Sequence, residues 1–222
     1  NDLKYNPLPD KYKIALDERF SADDIQKMGE LVGVPIGYNK ALNIQRGQEM
    51  SSEKKKYQIF LNFRSAKDFV KSYTNTNSLK PSIELAVHIN RILMRNIVDD
   101  WDIGKIRGFS EKPNEIYDTW YKNRDFYPNL DMSSHFNELF DWLQNGTDSN
   151  HKLIKIGILL YEFLDKAPFT VGNQITAILV AEILSKKYGY NPNNLVPYFK
   201  SIEYISEDIL AAHKMTKAKI DL

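Results

Sequence analysis

The chain has 222 residues, 42% of them hydrophobic, enough to bury a sizeable core as one domain with a smaller appendage. A formal charge of +1 and a pI near 7.9 give no electrostatic reason to expect nucleic acid or an anionic membrane surface. No uninterrupted apolar run approaches the ~18 residues of a membrane span, and the absence of cysteine excludes disulfides, thiolate metal sites and a cysteine nucleophile. No signal-peptide pattern opens the sequence, so the expected setting is cytoplasmic, with a secreted effector as the alternative. The start at Asn1 reads as a trimmed or processed product.

Helical periodicity dominates, and the expected class is all-α with one small hairpin. Pro7 and Pro9 mark the first ~20 residues as an extended arm. Ser21, ahead of Ala22-Asp23-Asp24, reads as the start of a helix that ends near Gly33 to Pro35. Residues 37–50 are polar and read as irregular, broken by Gly37 and Gly47. Ser51-Ser52-Glu53 opens a longer helix to about Tyr73, with Tyr57, Phe60, Leu61, Phe63, Phe69 and Val70 for its buried side and Lys54 to Lys56 on a solvated face. Ser78 and Pro81 start another helix, through Ile83, Val87, Asn90, Arg91 and Met94. In the long connection 95–131, the β-prone stretch Ile116 to Tyr121 suits a short hairpin. Ser133 or Ser134 caps the next helix, where Phe136, Leu139, Phe140 and Leu143 form an i, i+3, i+4, i+7 stripe, and Gly146 ends it. Residues 151–165 (HKLIKIGILLYEFLD) are apolar nearly all round after Lys155 and read as the central buried helix. A further helix runs from Asn173 to about Tyr188, and 193–222 supply one or two more with no stop signal, so more chain is expected beyond Leu222.

The most informative stretch is 164–179, LDKAPFTVGNQITAIL. It places a short loop, Pro168 to Gly172, between two apolar helical segments. A loop turning straight into a helix start leaves backbone N–H groups that, with the helix dipole, favour an anion. The stretch resembles the signature of the Fic (filamentation-induced-by-cAMP, or Fido) family, H-P-F-x-D/E-G-N-G-R. Pro168, Phe169, Gly172 and Asn173 match it, whereas Ala167, Val171, Gln174 and Ile175 do not. The resemblance extends, in order, to Gly104-Lys105-Ile106-Arg107, similar to a G-x-[aromatic or aliphatic]-R element ahead of a flap hairpin. It continues through Tyr127-Pro128 to Phe140-Asp141-Trp142-Leu143 and then GNQITAILVAEILSKKYGY. It covers roughly residues 78–205 and implies residues 1–77 as an N-terminal arm and helices packed on a Fic-like core of residues 78–222, a helical bundle with a central helix-loop-helix and a β-hairpin flap.

The resemblance also implies an activity: transfer of AMP from ATP, usually with Mg²⁺, to a protein hydroxyl. In that scheme a histidine takes the hydroxyl proton, an acidic residue holds Mg²⁺, loop N–H groups and the asparagine hold the α-phosphate, and an arginine neutralises the outer phosphates. Carried over, Pro168, Phe169, Thr170, Gly172 and Asn173 form the phosphate-binding loop. Tyr117, Trp120 and Tyr121 form a flap edge that pairs with a target protein. Ala167 stands at the histidine position, Val171 at the acidic position, Gln174 at a glycine and Ile175 at the arginine. Four departures in eight positions are more than one engineered knockout explains. Three readings follow: a pseudoenzyme that binds a nucleotide or a partner protein, with no catalytic residue of its own and possible ATP binding without a Mg²⁺ ligand; an altered transferase with another base or phosphorylated donor; or a protein-interaction scaffold. For the second, His135 and His151 flank the motif in sequence, and Glu162 and Asp165 are the nearest carboxylates. His88, His135, His151 and His213 share no metal-binding spacing. IQKMGELVG at 25–33 faintly resembles the family's inhibitory helix, but Glu30 has no motif arginine to meet and reads as a surface charge.

Overall fold

A computed structural model describes residues 9–48, 54–74, 80–109, 111–114, 130–146, 151–190 and 199. Seven helices are described within them: α1 Asp10–Leu31, α2 Tyr38–Gln45, α3 Lys54–Thr74, α4 Ile83–Met94, α5 Met132–Asn145, α6 Lys152–Lys166 and α7 Asn173–Lys187. The all-α expectation holds. The expected hairpin at 116–121, with Tyr117, Trp120 and Tyr121, lies outside the described residues, as do His213 and most of 193–222. None of the described helices is long and apolar enough to cross a membrane.

The centre of the bundle is α7, with α3, α4 and α6 packed against it. Every residue from Asn173 to Ser185 is buried. Ala177, Ala181 and Ser185, at i, i+4 and i+8, are small enough to let neighbouring helices approach, while Ile175, Ile178, Leu179, Ile183 and Leu184 fill the space between them. This corrects the expectation that α6 is the buried centre. Leu153 and Ile154 of α6 are 53% and 54% exposed, and its buried residues are Lys155, Ile156, Leu159 and Phe163 to Asp165. An apolar run does not say how many neighbours surround a helix.

Other helix starts also differ from expectation. α1 begins at Asp10, so Ser21 lies mid-helix and the arm does not extend to residue 20. Pro9 carries the start, its carbonyl accepting the N–H groups of Tyr12 and Lys13; proline is tolerated there because the first N–H groups of a helix are unpaired anyway. Residues 38–45, expected to be irregular, form α2, in which Ala41 and Ile44 reach the core. The side chain of Ser82 caps α4 by accepting from the Leu85 N–H at 3.2 Å, and Asp131 caps α5 by accepting from the Ser134 N–H at 3.1 Å, two residues ahead of Ser133, the first of the serines expected there. In α3, Tyr57, Phe60, Phe63 and Val70 are buried, whereas Leu61 faces solvent. Gly29 is required where α1 meets α3: an added Cβ would stand 2.8 Å from the Val34 carbonyl oxygen and 2.9 Å from the Phe60 ring.

A buried ion network ties α1, α3 and α7 together. The Lys67 ammonium lies 2.9 Å from Asp24 and 2.7 Å from Glu182, and Lys186 lies 3.3 Å from the other oxygen of Glu182. Asp24 also accepts the Phe199 N–H, and the Phe199 ring meets Phe63 edge-on at 4.8 Å. The two carboxylates shift in opposite directions. Burial raises both, but Glu182 has two ammonium partners that together pull it below its usual range, while Asp24 has one and stays raised. Burial disfavours the charge on Lys67, yet the two carboxylates outweigh it and raise its pKa.

Lys67→Met leaves both carboxylates buried without their shared cation and is expected to destabilise the fold by about 3 kcal/mol at neutral pH. Without the lysine Asp24 has no cation left and burial holds its carboxyl still further above the unfolded value, so protonation of Asp24 relieves the penalty, while Glu182 keeps Lys186. The deficit against the parent protein, read by denaturant melts, should shrink as pH falls towards about 4.

Candidate functional site

The loop between α6 and α7 is built by closing backbone groups on themselves. α6 ends at Ala167, whose N–H donates to the Phe163 carbonyl at 3.0 Å and whose φ of +47° lies in the left-handed region. That turn leaves the last carbonyls of α6 without helical partners, and Arg107 meets them. Its Nε donates to the Ala167 carbonyl at 2.5 Å, its Nη2 to Lys166 at 2.6 Å and its backbone N–H to Pro168 at 2.8 Å, while Nη1 reaches the Glu111 carbonyl. The guanidinium is buried at the negative end of a helix dipole, where a cation is favoured.

The same segment continues alongside the loop. Ile106 and Phe169 form an antiparallel bridge, Thr170 N–H donates to the Lys105 carbonyl, and Asn114 N–H donates to the Thr170 carbonyl. Phe169 is fully buried against Phe163, with ring centres 6.4 Å apart. At the start of α7, Gly172 has φ +76°, a backbone conformation that favours glycine, and it sits against the Met94 methyl, which stands 2.6 Å from where a Cβ would be.

Two asparagines complete the closure. Asn173 accepts the Phe169 N–H at 2.7 Å and returns its own amide hydrogen to the Phe169 carbonyl at 2.9 Å. Its side chain therefore staples the loop. Asn90, from α4, donates to the Val171 carbonyl at 2.8 Å and to Thr176 Oγ1 at 3.1 Å, and accepts the Gly104 N–H at 3.1 Å. One buried amide thus joins the loop, the first turn of α7 and the turn before Arg107. The sequence reading placed Asn90 on its helix without a role. The available signal was an amide inside an apolar stripe, Ile89-Asn90 between Ala86 and Leu93, which is tolerated only when its polar atoms are paired.

The four positions that depart from the family signature are all buried: Ala167, Val171, Gln174 and Ile175. Val171 and Ile175 belong to the main hydrophobic core. No group of three or more metal-ligating side chains occurs among the described residues. His135 Nε2 lies 2.8 Å from Glu162 on α6, His151 caps α6 by accepting the Leu153 N–H, and His88 packs on Phe69. Asp165 is buried and paired with Lys166 at 2.6 Å. Glu30 pairs with Lys27 at the surface. Beside the loop, the Gly108 N–H and Lys105 hold the Glu111 carboxyl below its usual range, and Glu111 raises Lys105 in return.

The helix-loop-helix, with its buried asparagine and its bridge to the G-K-I-R segment, coincides with the region matched by a family model, that of the Fic/DOC family over residues 80–185. These residues form a Fic domain. Solved structures share its fold. A Fic family protein from Desulfovibrio desulfuricans matches with a TM-score of 0.69 at 16% identity, over 96% of this chain and 62% of its own. A Fic domain containing signaling protein from Bacteroides thetaiotaomicron matches with a TM-score of 0.66 at 18% identity, over 83% of this chain and 69% of its own. A Fic-1 fragment from C. elegans matches with a TM-score of 0.61 at 17% identity, over 91% and 63%. At these identities the likeness is one of fold, and this chain spans under two thirds of the first of those proteins. No curated protein matches the sequence. Because the first likeness covers nearly the whole chain, the N-terminal helices share in the fold together with the Fic domain.

Returning the family's arginine by Ile175→Arg would place a guanidinium in the core with no anion beside it. It is expected to destabilise the domain by about 3 kcal/mol or more, measured by thermal or denaturant melts. A melt within about 0.5 kcal/mol of the parent protein would mean that position 175 opens to solvent or ligand.

Proposed function

We infer that this Fic domain does not perform ordinary AMP transfer and works as a pseudoenzyme through contacts with a partner protein. The observation that carries the reading is the chemistry of the loop. A methyl group at Ala167 accepts no proton, an isopropyl group at Val171 offers Mg²⁺ no oxygen, and Ile175 brings no charge to a triphosphate. Asn173 supports it further, because both ends of its amide are engaged with Phe169. A nucleotide held here, ATP included, would meet backbone of the loop's last turn into α7 and no charged motif side chain, so it would be held weakly and independently of Mg²⁺. A cytoplasmic setting fits the cysteine-free sequence.

The second reading, an altered transferase, draws on the pairing of His135 with Glu162, since a carboxylate on one ring nitrogen leaves the other free to act as a base. Two measurements separate the readings. In calorimetric titrations with ATP, the pseudoenzyme gives no binding or weak binding that Mg²⁺ does not strengthen, and cell lysate incubated with the chain and MgATP acquires no AMP adduct by mass spectrometry. Mg²⁺-dependent binding contradicts the reading. An adduct that requires the chain and is lost in His135→Ala assigns the altered transferase instead.

A further inference from the structure

The turn from Asn96 to Gly104 after α4 carries four large apolar side chains, and three of them, Ile97, Val98 and Ile103, pack against the core. The fourth and largest, Trp101, points away. At 73% it is the most exposed large apolar residue among those described. A single exposed leucine needs no explanation, but an exposed tryptophan on a fixed turn does.

The turn is fixed from several sides. Ile97 N–H donates to the Met94 carbonyl, Asp102 N–H to Asp99 at 2.9 Å and Lys105 N–H to Asp102 at 3.3 Å. The Gly104 N–H is held by Asn90, and Thr170 Oγ1 of the motif loop donates to the Asp102 carbonyl at 3.2 Å. Left-handed residues stand at both ends, Asn96 with φ +59° and Gly104 with φ +68°. Trp101 is thus presented on a scaffold that is already ordered, which removes most of the entropic penalty of using it in an interface.

The surroundings of Trp101 choose the partner. Asp99 and Asp100 are exposed, Asp102 is half-buried, and no described residue forms a salt bridge with any of the three. Of the bases that flank the turn, Lys105 pairs with Glu111, the Arg91 stem lies over Gly104, and Arg95 is exposed just ahead of Asn96, so the three carboxylates outnumber the unpaired flanking charge. Carboxylates beside an indole repel phosphate and lipid headgroups. They suit a cation that stacks on the ring face while the acids neutralise it.

We propose that the turn from Asn96 to Gly104 is a docking knob for a basic, arginine-bearing segment of a protein partner, with Trp101 as the anchor and Asp99 and Asp100 as the charge match. The proposal rests on the partner-binding part of the reading above and not on the loss of AMP transfer, so the two fail in separate assays.

The test uses the full chain and a fluorescein-labelled octaarginine peptide, followed by fluorescence anisotropy. The peptide should bind saturably and lose affinity as salt rises. Trp101→Ala should weaken it about tenfold, and Asp99→Asn with Asp100→Asn should weaken it and flatten the salt dependence. Glu138→Gln, an exposed acid on α5, should change nothing. Because Trp101 is largely outside the core, circular dichroism should show all variants folded. No binding, equal affinity in Trp101→Ala, or equal binding of labelled octaglutamate overturns the proposal. Dimerisation of the chain that Trp101→Ala abolishes also overturns it, assigning the knob to a second copy.

Discussion

Three successive carbonyls at the end of α6, those of Lys166, Ala167 and Pro168, converge on one residue, Arg107. Helix ends leave carbonyls that must be satisfied by solvent, a cap or another group. Here the chain turns through a left-handed alanine, and Ala167 and Pro168 are buried, so solvent cannot serve those two carbonyls. The guanidinium supplies fixed donors and a positive charge at the negative end of the helix dipole. Everything downstream depends on that arrangement. The Ile106–Phe169 bridge, the staple from Asn173 and the seat of Gly172 against Met94 all presuppose a loop leaving α6 in this direction.

Such a construction explains how this Fic domain holds its loop without the histidine, acid and arginine of the family signature. The residues that hold the loop, Arg107, Asn90, Asn173 and Gly172, act on backbone groups or through backbone conformation. None of them needs a histidine at 167, an acid at 171 or an arginine at 175. Those three positions are apolar here and buried in the core around α7. The side chains that hold the loop are thus not the ones the signature assigns to chemistry. The exposed Trp101 knob belongs to the same construction: Asn90 and Thr170 brace it from the motif side, and it offers a surface where the loop offers no acid, base or charge.

The sequence made the helical class, the position of the loop and the Gly104–Arg107 element legible, because spacing and order carry that information. It also made the departures from the signature legible, since an alanine in a histidine's place is visible without coordinates. Which helix lies at the centre was not legible. α6 has the longer apolar run, but α7 has the small residues, and only the count of surrounding helices decides between them. The start of α1 and the existence of α2 were hidden by proline and glycine, read as breakers when Pro9 and Gly37 begin helices. The roles of Asn90 and Asn173 required the partners they bond, which lie in other elements or across the loop.

The central claim is that the loop is closed by its own bonds and not by a ligand. Amide hydrogen exchange at Phe169 and Thr170, whose N–H groups donate to Asn173 and to the Lys105 carbonyl, reads that closure directly. The account predicts slow exchange at both amides in the protein alone and no further slowing with ATP and Mg²⁺. Fast exchange that becomes slow only when MgATP is added would contradict it, because the loop would then be open and ordered by the nucleotide.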